Sequence, residues 1–418
     1  MSKRTIAKIG ILLALTQFAA LCGKPAPVSN KPVELVIWKT FDSEENLRPI
    51  FDAYKKLHPN VSFRFEKKDI ADYENELLTA FAKQAGPDIF SIHNDWVPKY
   101  KDYLATAPEG LFSQREFQDT FVDVAKEDLY DPAGNLYAVP MSMDVLALYY
   151  NRDLLGSAGI SVPPRTWDEV IADVKKLTRQ DKLGNFLING IALGTSSNVN
   201  RSVDVLSLLM LQNGTQIFNT ERTLVAIDRV LTKPDGSSYN PGAQALEFYT
   251  QFANPAKETY TWSVRNNQSI DAFASGQAAM MISYSYITPL IRGKSPLLNF
   301  GVAPVPQIDM TKPKVGFANY FAEGVSKVSP NTSVAWDFLR FATKAENLQA
   351  YYSMNKLASP RKDLISTQIS DPELGVFAEG ALTAKTFYKP DASNIEAIFL
   401  RMIDDIILRN RTPQQALS

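Results

Sequence analysis

The chain has 418 residues and is close to charge balance, with 44 lysines and arginines against 45 aspartates and glutamates, two histidines and one cysteine. No basic patch or arginine-rich stretch is present, which argues against a nucleic-acid partner; one cysteine excludes an internal disulfide, and two histidines without a Cys/His cluster argue against a zinc centre. The length suits two domains, because single cores stop growing near about 250–300 residues.

The first element is a leader. Lys3, Arg4 and Lys8 precede an apolar run at 9–21, and Cys22 follows it directly, ahead of a short polar, proline-rich stretch at 23–31. A basic start before roughly 7–15 apolar residues is an export signal, and this run is shorter than the ~20 residues that span a bilayer. The sole thiol behind that run predicts that Cys22 carries lipid, with residues 1–22 as a lipoprotein signal and 23–31 as a flexible tether. A cleaved leader without lipid is the other reading. Both place the body outside the cytoplasm, in the periplasm or at the cell surface.

Residues 33–38 read as a buried strand. Asp42, with Glu45 three positions on, predicts a capped helix that carries Leu47, Ile50, Phe51, Tyr54 and Leu57 and stops at His58-Pro59. A second strand at 61–66, a helix at 72–84 and a third strand at 88–92 complete β-α-β-α-β, the opening of a doubly wound sheet. Such sheets bind ligands beyond the carboxyl ends of their strands. Those ends supply Trp38, Lys39 and Thr40, then Asn94, Asp95 and Trp96. No glycine fingerprint follows the first strand, which disfavours a dinucleotide site.

Further on, residues 136–150 read as one extended segment through Pro140. Thr166 with Glu169 predicts a capping box on a helix over 167–178. A strand at 190–193, a polar loop at 195–200, helices at 203–212 and 241–252, and strands at 278–286 and 300–304 follow. Helices at 336–343, 346–354 and 395–409 close the chain. No internal repeat is visible.

Several segments carry a resemblance: Leu148-Tyr149-Tyr150-Asn151-Arg152-Asp153-Leu154, Gly159-Ile160, Pro163-Pro164-Arg165-Thr166-Trp167-Asp168-Glu169, Ala272 to Met281, and Ala335-Trp336-Asp337-Phe338-Leu339. In their order and spacing they resemble the extracellular solute-binding proteins of ABC transporters, in the maltose-binding-protein-like group. The resemblance implies an α/β, two-lobe periplasmic-binding-protein fold of type II. Each lobe would be a mostly parallel sheet flanked by helices, and a multi-segment hinge would cross near 142–145, 317–321 and 361. It further implies a first lobe of 32–143 plus 320–360 and a second of 144–319 plus 361–418. The chain departs from the family's Gly-Ser-Trp at Tyr284-Ser285-Tyr286, and stops a little short of the family's usual last helix.

A carbohydrate needs flat rings for its C–H faces and carboxylates or amides for its hydroxyls. The candidate ligand-binding set is Trp38, Thr40, Asp42, Asn94, Asp95, Asp144, Ser196, Asn198, Trp262, Tyr284, Tyr286, Asn319, Tyr320 and Arg361. Of these, Asn94 with Asp95 and Asp144 match acidic ligand positions of the family, and Tyr286 stands for its tryptophan. Each has an ordinary alternative: core packing for Trp38 and Trp262, a helix cap for Asp42, turn duty for Ser196 and Asn198, an ion pair for Asp144 and Arg361. No catalytic residue, metal or cofactor is expected.

The expected function is capture of a carbohydrate, an oligosaccharide, by a monomer that hands it to a membrane permease. The same fold on a glycerophosphodiester, polyamine or peptide is the alternative, to which Lys39, Lys67, Lys68 and Arg361 speak. A secreted glycoside hydrolase would need two carboxylates roughly 5–10 Å apart, with Asp95 and Asp144 as the pair.

Overall fold

The computed structural model describes residues 31–233 and 235–418; the leader and Cys22 lie outside the described residues. The strands run in chain order as β1 (Val33–Lys39), β2 (Val61–Lys67), β3 (Ile89–His93), β4 (Leu104–Ala105), β5 (Ala138–Pro140) and β6 (Ala147–Asn151). Two short hairpins follow, β7 (Arg179–Gln180) with β8 (Phe186–Ile188) and β9 (Leu231–Thr232) with β10 (Ser238–Tyr239). Then come β11 (Met280–Ser283), β12 (Phe300–Pro304), β13 (Gly316–Phe317), β14 (Phe321–Ser326) and β15 (Ala384–Lys385).

The first sheet has the order β2-β1-β3-β14-β4, with β5 also on β14. β1 pairs in parallel with β2 along its length and with β3 at Ile37 and Trp38. β14 arrives from far along the chain and runs antiparallel to β3, β4 and β5. Alternation along β1 sends Leu35 and Ile37 into the core, and the helix Glu44–Leu57 covers them with Leu47, Ile50, Phe51 and Tyr54. Burying each such side chain is worth about 1.5–3 kcal/mol. That helix starts from Ser43, not from the Asp42 cap expected, because the Asp42 carboxylate is taken by Lys39 and Tyr351.

In the second lobe β6 is the middle strand, and β11 and β12 both pair with it antiparallel. This corrects the expectation of a mostly parallel sheet there. β6 leads away from the crossing between lobes, whereas β11 brings the chain back to it at Tyr284-Ser285-Tyr286. The predicted capping box of Thr166 and Glu169 forms on the helix Trp167–Leu177. The expected strand at 190–193 does not: Asn189 makes a single parallel bridge to Ala278, and Ala192 donates its amide to Met280. Gly190 is pressed on that helix, where a Cβ would lie 2.8 Å from the Cα of Val174.

Two passages between the lobes lie side by side. Val145 bridges Ala318, the amide of Asn319 donates to the carbonyl of Asp144 at 2.9 Å, and Met143 bridges Ala358. One core gathers Leu35, Phe90, Tyr54 and Trp336 and continues through Val145 to Tyr149; the other gathers Leu148, Trp167, Leu206, Tyr249 and Phe399. Among the described residues no helix is long and apolar enough to cross a membrane, and no three His, Cys, Asp or Glu side chains are grouped to hold a metal ion.

Candidate functional site

A cavity of about 320 Å³ lies where the two lobes face each other across the crossing segments. Its floor is the carboxyl edge of the first sheet: Lys39 ends β1, Thr40, Phe41 and Asp42 follow it, and Ser91, Phe321 and Glu323 come from β3 and β14. Asp144, Asn319 and Tyr320 enter from the crossings, and Arg201 and Tyr286 from the second lobe. This is the position that a doubly wound sheet leaves open for a ligand.

The floor is a buried ion triad. Lys39 Nζ lies 2.8 Å from Asp42 Oδ2 and 2.5 Å from Glu323 Oε1. Asp42 also accepts the Tyr351 hydroxyl at 2.6 Å, and Glu323 accepts Ser91 Oγ at 3.2 Å. Burial disfavours the Lys39 ammonium, yet the two carboxylates outweigh it and hold its pKa well above the ordinary lysine value. Asp42 is held below its ordinary value because Lys39 overcomes the cost of burial. Lys39 is thus held between two carboxylates, and carboxylate oxygens are acceptors for hydroxyls.

The walls are aromatic. Phe41 is 64% exposed and meets the ring of Phe321 edge-on, and Tyr286 is 41% exposed on the opposite lobe. Arg201 adopts a left-handed backbone with φ of 60°; its guanidinium lies over the Tyr284 and Tyr286 rings and its Nε donates to the Tyr286 hydroxyl at 3.1 Å. Asp144 is committed to the chain itself. Its carboxylate accepts the amide and hydroxyl of Ser285 and the amide of Val145. Burial pushes its pKa up to about 6 against those hydrogen bonds.

Of the residues expected from sequence, Thr40, Asp42, Asp144, Tyr286, Asn319 and Tyr320 come together on this cavity. The others stand elsewhere, and each has a partner that explains why. Trp38 packs under the Lys68 ammonium, 3.8 Å from its ring. Trp262 is fully buried and donates its indole N–H to Asn198 Oδ1, and Asn198 in turn holds the carbonyls of Ser263 and Asn266. Ser196 is bonded to Asp404. Tyr284 is fully buried with its hydroxyl on Asp204. Asn94 donates to Asp128, and Asp95 pairs with Lys389 at 2.8 Å. Arg361 stacks on Phe121 and binds the Thr343 carbonyl and Asp363.

Asp144 lines this cavity and Asp95 lines another, so the two carboxylates do not face each other in one site. Lys68 pairs with Glu66 and Glu76 rather than presenting a free positive edge. Sequence reading missed Phe41, Arg201, Phe321, Glu323 and Tyr351. Glu323 carried a legible signal, a lone carboxylate inside the otherwise apolar strand Phe321–Ser326. Phe41 lies between the candidates Thr40 and Asp42, whereas Arg201, Phe321 and Tyr351 became neighbours only through tertiary contacts.

Two α/β lobes joined by paired crossings around one polar, ring-lined cleft define a two-lobed solute-binding protein. Residues 40–349 match the family described as bacterial extracellular solute-binding protein, and the chain belongs to that family. It is similar to the maltotriose-binding protein of Pyrococcus abyssi, 22% identical over 88% of this chain and 75% of that one. It is also similar to the galactooligosaccharide-binding protein of Bacillus subtilis, 22% identical over 84% of this chain and 79% of that one. Among solved structures, a cyclo/maltodextrin-binding protein in complex with maltotetraose superposes with a TM-score of 0.75 at 20% identity, over 93% of this chain and 95% of that one. That likeness establishes the fold.

Proposed function

We propose that this protein captures a carbohydrate between its lobes and delivers it to the membrane permease of an ABC importer. The observation that carries this reading is the cleft, where exposed rings on opposite walls flank a floor of buried hydrogen-bonding carboxylates. Rings suit the C–H faces of a sugar and carboxylates its hydroxyls. The binding names of the relatives point the same way. A cavity of about 320 Å³ is near the low end of ligand sites, roughly 300–1,000 Å³, so a short oligosaccharide is the expected guest. Lys39 is committed to Asp42 and Glu323, so it is not free to take a phosphodiester.

The lobes in this reading are 32–143 with 320–360 and 144–319 with the C-terminal part. The third passage is expected near Arg361; the contacts of Arg361 and the helix Lys362–Gln368 with Phe121, Gln118 and Asp123 support placing it after that helix. Solute touches both lobes only when they are together, and so favours the closed form. The chain acts as a monomer without covalent chemistry. Residues 1–22 direct export, and lipid on Cys22 tethers the body to the membrane.

Calorimetric titration with malto-, xylo-, chito- and galacto-oligosaccharides, phosphodiesters and polyamines tests the reading. A saccharide binds with micromolar or tighter affinity and remains unaltered. Binding only of a phosphodiester or polyamine, or turnover of a sugar, refutes it. Cys22→Ala moves the protein from the membrane fraction to the soluble one; retention at the membrane rejects the anchor.

A further inference from the structure

The lobes meet at a second place, away from the cavity. β15 runs parallel to β13, with Gly316 opposite Ala384 and Phe317 opposite Lys385. The chain then continues as an irregular strap, residues 386–391, against the first lobe before it enters the helix Ala392–Ile407. Along this strap Lys385 pairs with Glu127, Thr386 bonds to Asp128, Lys389 pairs with Asp95, and Asp391 pairs with Lys99. The outer pairs are a third to a half exposed, and such pairs contribute little.

The Asp95–Lys389 pair is different. The side chains are 10% and 11% exposed at an N–O distance of 2.8 Å, and Asp95 also touches His93 Nδ1. Asp95 belongs to the first lobe and Lys389 to the second, so parting the lobes at this seam must break the contact. A buried ammonium left without a partner is costly.

We propose that Lys389 is an interlobe latch, bound to Asp95 while the lobes are together and released when they part. The latch touches no solute, so it sets the closed-to-open ratio before any ligand arrives, and ligand affinity inherits that ratio. It rests on lobe closure and is independent of whether the solute is a sugar. Failure of the saccharide panel leaves it standing.

The test is the ligand-free full chain carrying Cys22→Ser, with spin labels at Arg115→Cys and Leu297→Cys, exposed sites on the first and second lobes. Pulsed electron resonance reads the interlobe distance distribution. Asp95→Asn and Lys389→Ala each lower the closed fraction by about tenfold or more, as truncation of a buried charge pair does. The swap Asp95→Lys/Lys389→Asp restores closure relative to either single change, which separates latching from misfolding. Distributions like that of the parent in Asp95→Asn and Lys389→Ala overturn the proposal.

Discussion

Lys39 and Glu323 lie 284 positions apart in sequence and meet at 2.5 Å beneath the cleft. Both side chains are nearly inaccessible, at 5% and 4%, so each needs the other. Lys39→Met leaves Glu323 and Asp42 buried without their cation, and stability falls by about 3–5 kcal/mol. Urea unfolding measures it, and Glu323→Gln in the same chain recovers part of the loss. A change below about 1 kcal/mol would mean that water already solvates the pair.

The exposed rings of Phe41 and Tyr286 have little packing to lose. Phe41→Ala and Tyr286→Ala each weaken saccharide binding by about tenfold, or 1.4 kcal/mol, while the melting temperature stays within a degree or two. Trp262→Phe is the opposite case: it removes the indole bond to Asn198, costing about 1 kcal/mol of stability with affinity unchanged. Titration beside thermal melts reads both properties, and a Trp262→Phe protein that folds normally but binds poorly would bring that residue back into the site.

Asp144 joins the first crossing to the loop after β11 through Ser285. Asp144→Ala therefore lowers stability and affinity together, with binding weakened by about tenfold. Loss of affinity at an unchanged melting temperature would instead mark Asp144 as a direct ligand contact.

Acid acts on four buried carboxylates in opposite senses. Burial raises Asp144 and Asp128 to about 6 in the folded chain, against an ordinary aspartate value of about 3.9. Between about pH 4 and 6 the folded form holds protons that the unfolded form has released, so these two groups make stability fall as pH rises. Asp42 and Asp95 sit below the ordinary value, held there against burial by Lys39 and by His93 with Lys389. Their contribution is full above about pH 4 and is lost as pH falls further. The melting temperature from these groups is highest near pH 4–5, and Asp128→Asn lowers the slope between about pH 4 and 6. A slope unaffected by that substitution would contradict the assignment.

Local rules made much of the scaffold legible. The β-α-β-α-β opening, the Thr166–Glu169 capping box and the strand Phe300–Pro304 depend on periodicity and on contacts a few residues apart. The strand ends accordingly pointed to Thr40 and Asp42. Local rules did not show which side chains had a distant partner: Asp95 found Lys389, Tyr284 found Asp204, Arg361 found Phe121 and Thr343.

From the sequence alone came the order of the elements and the edge of the sheet at which a ligand would sit, because hydrophobic spacing and cap chemistry are short-range; the two lobes came from the resemblance that its motif segments carry. Only the tertiary structure decided which polar side chains face that cleft and which are spent within the protein. A buried charge or hydroxyl must find a partner wherever the chain brings one, and those partners lie up to hundreds of residues away.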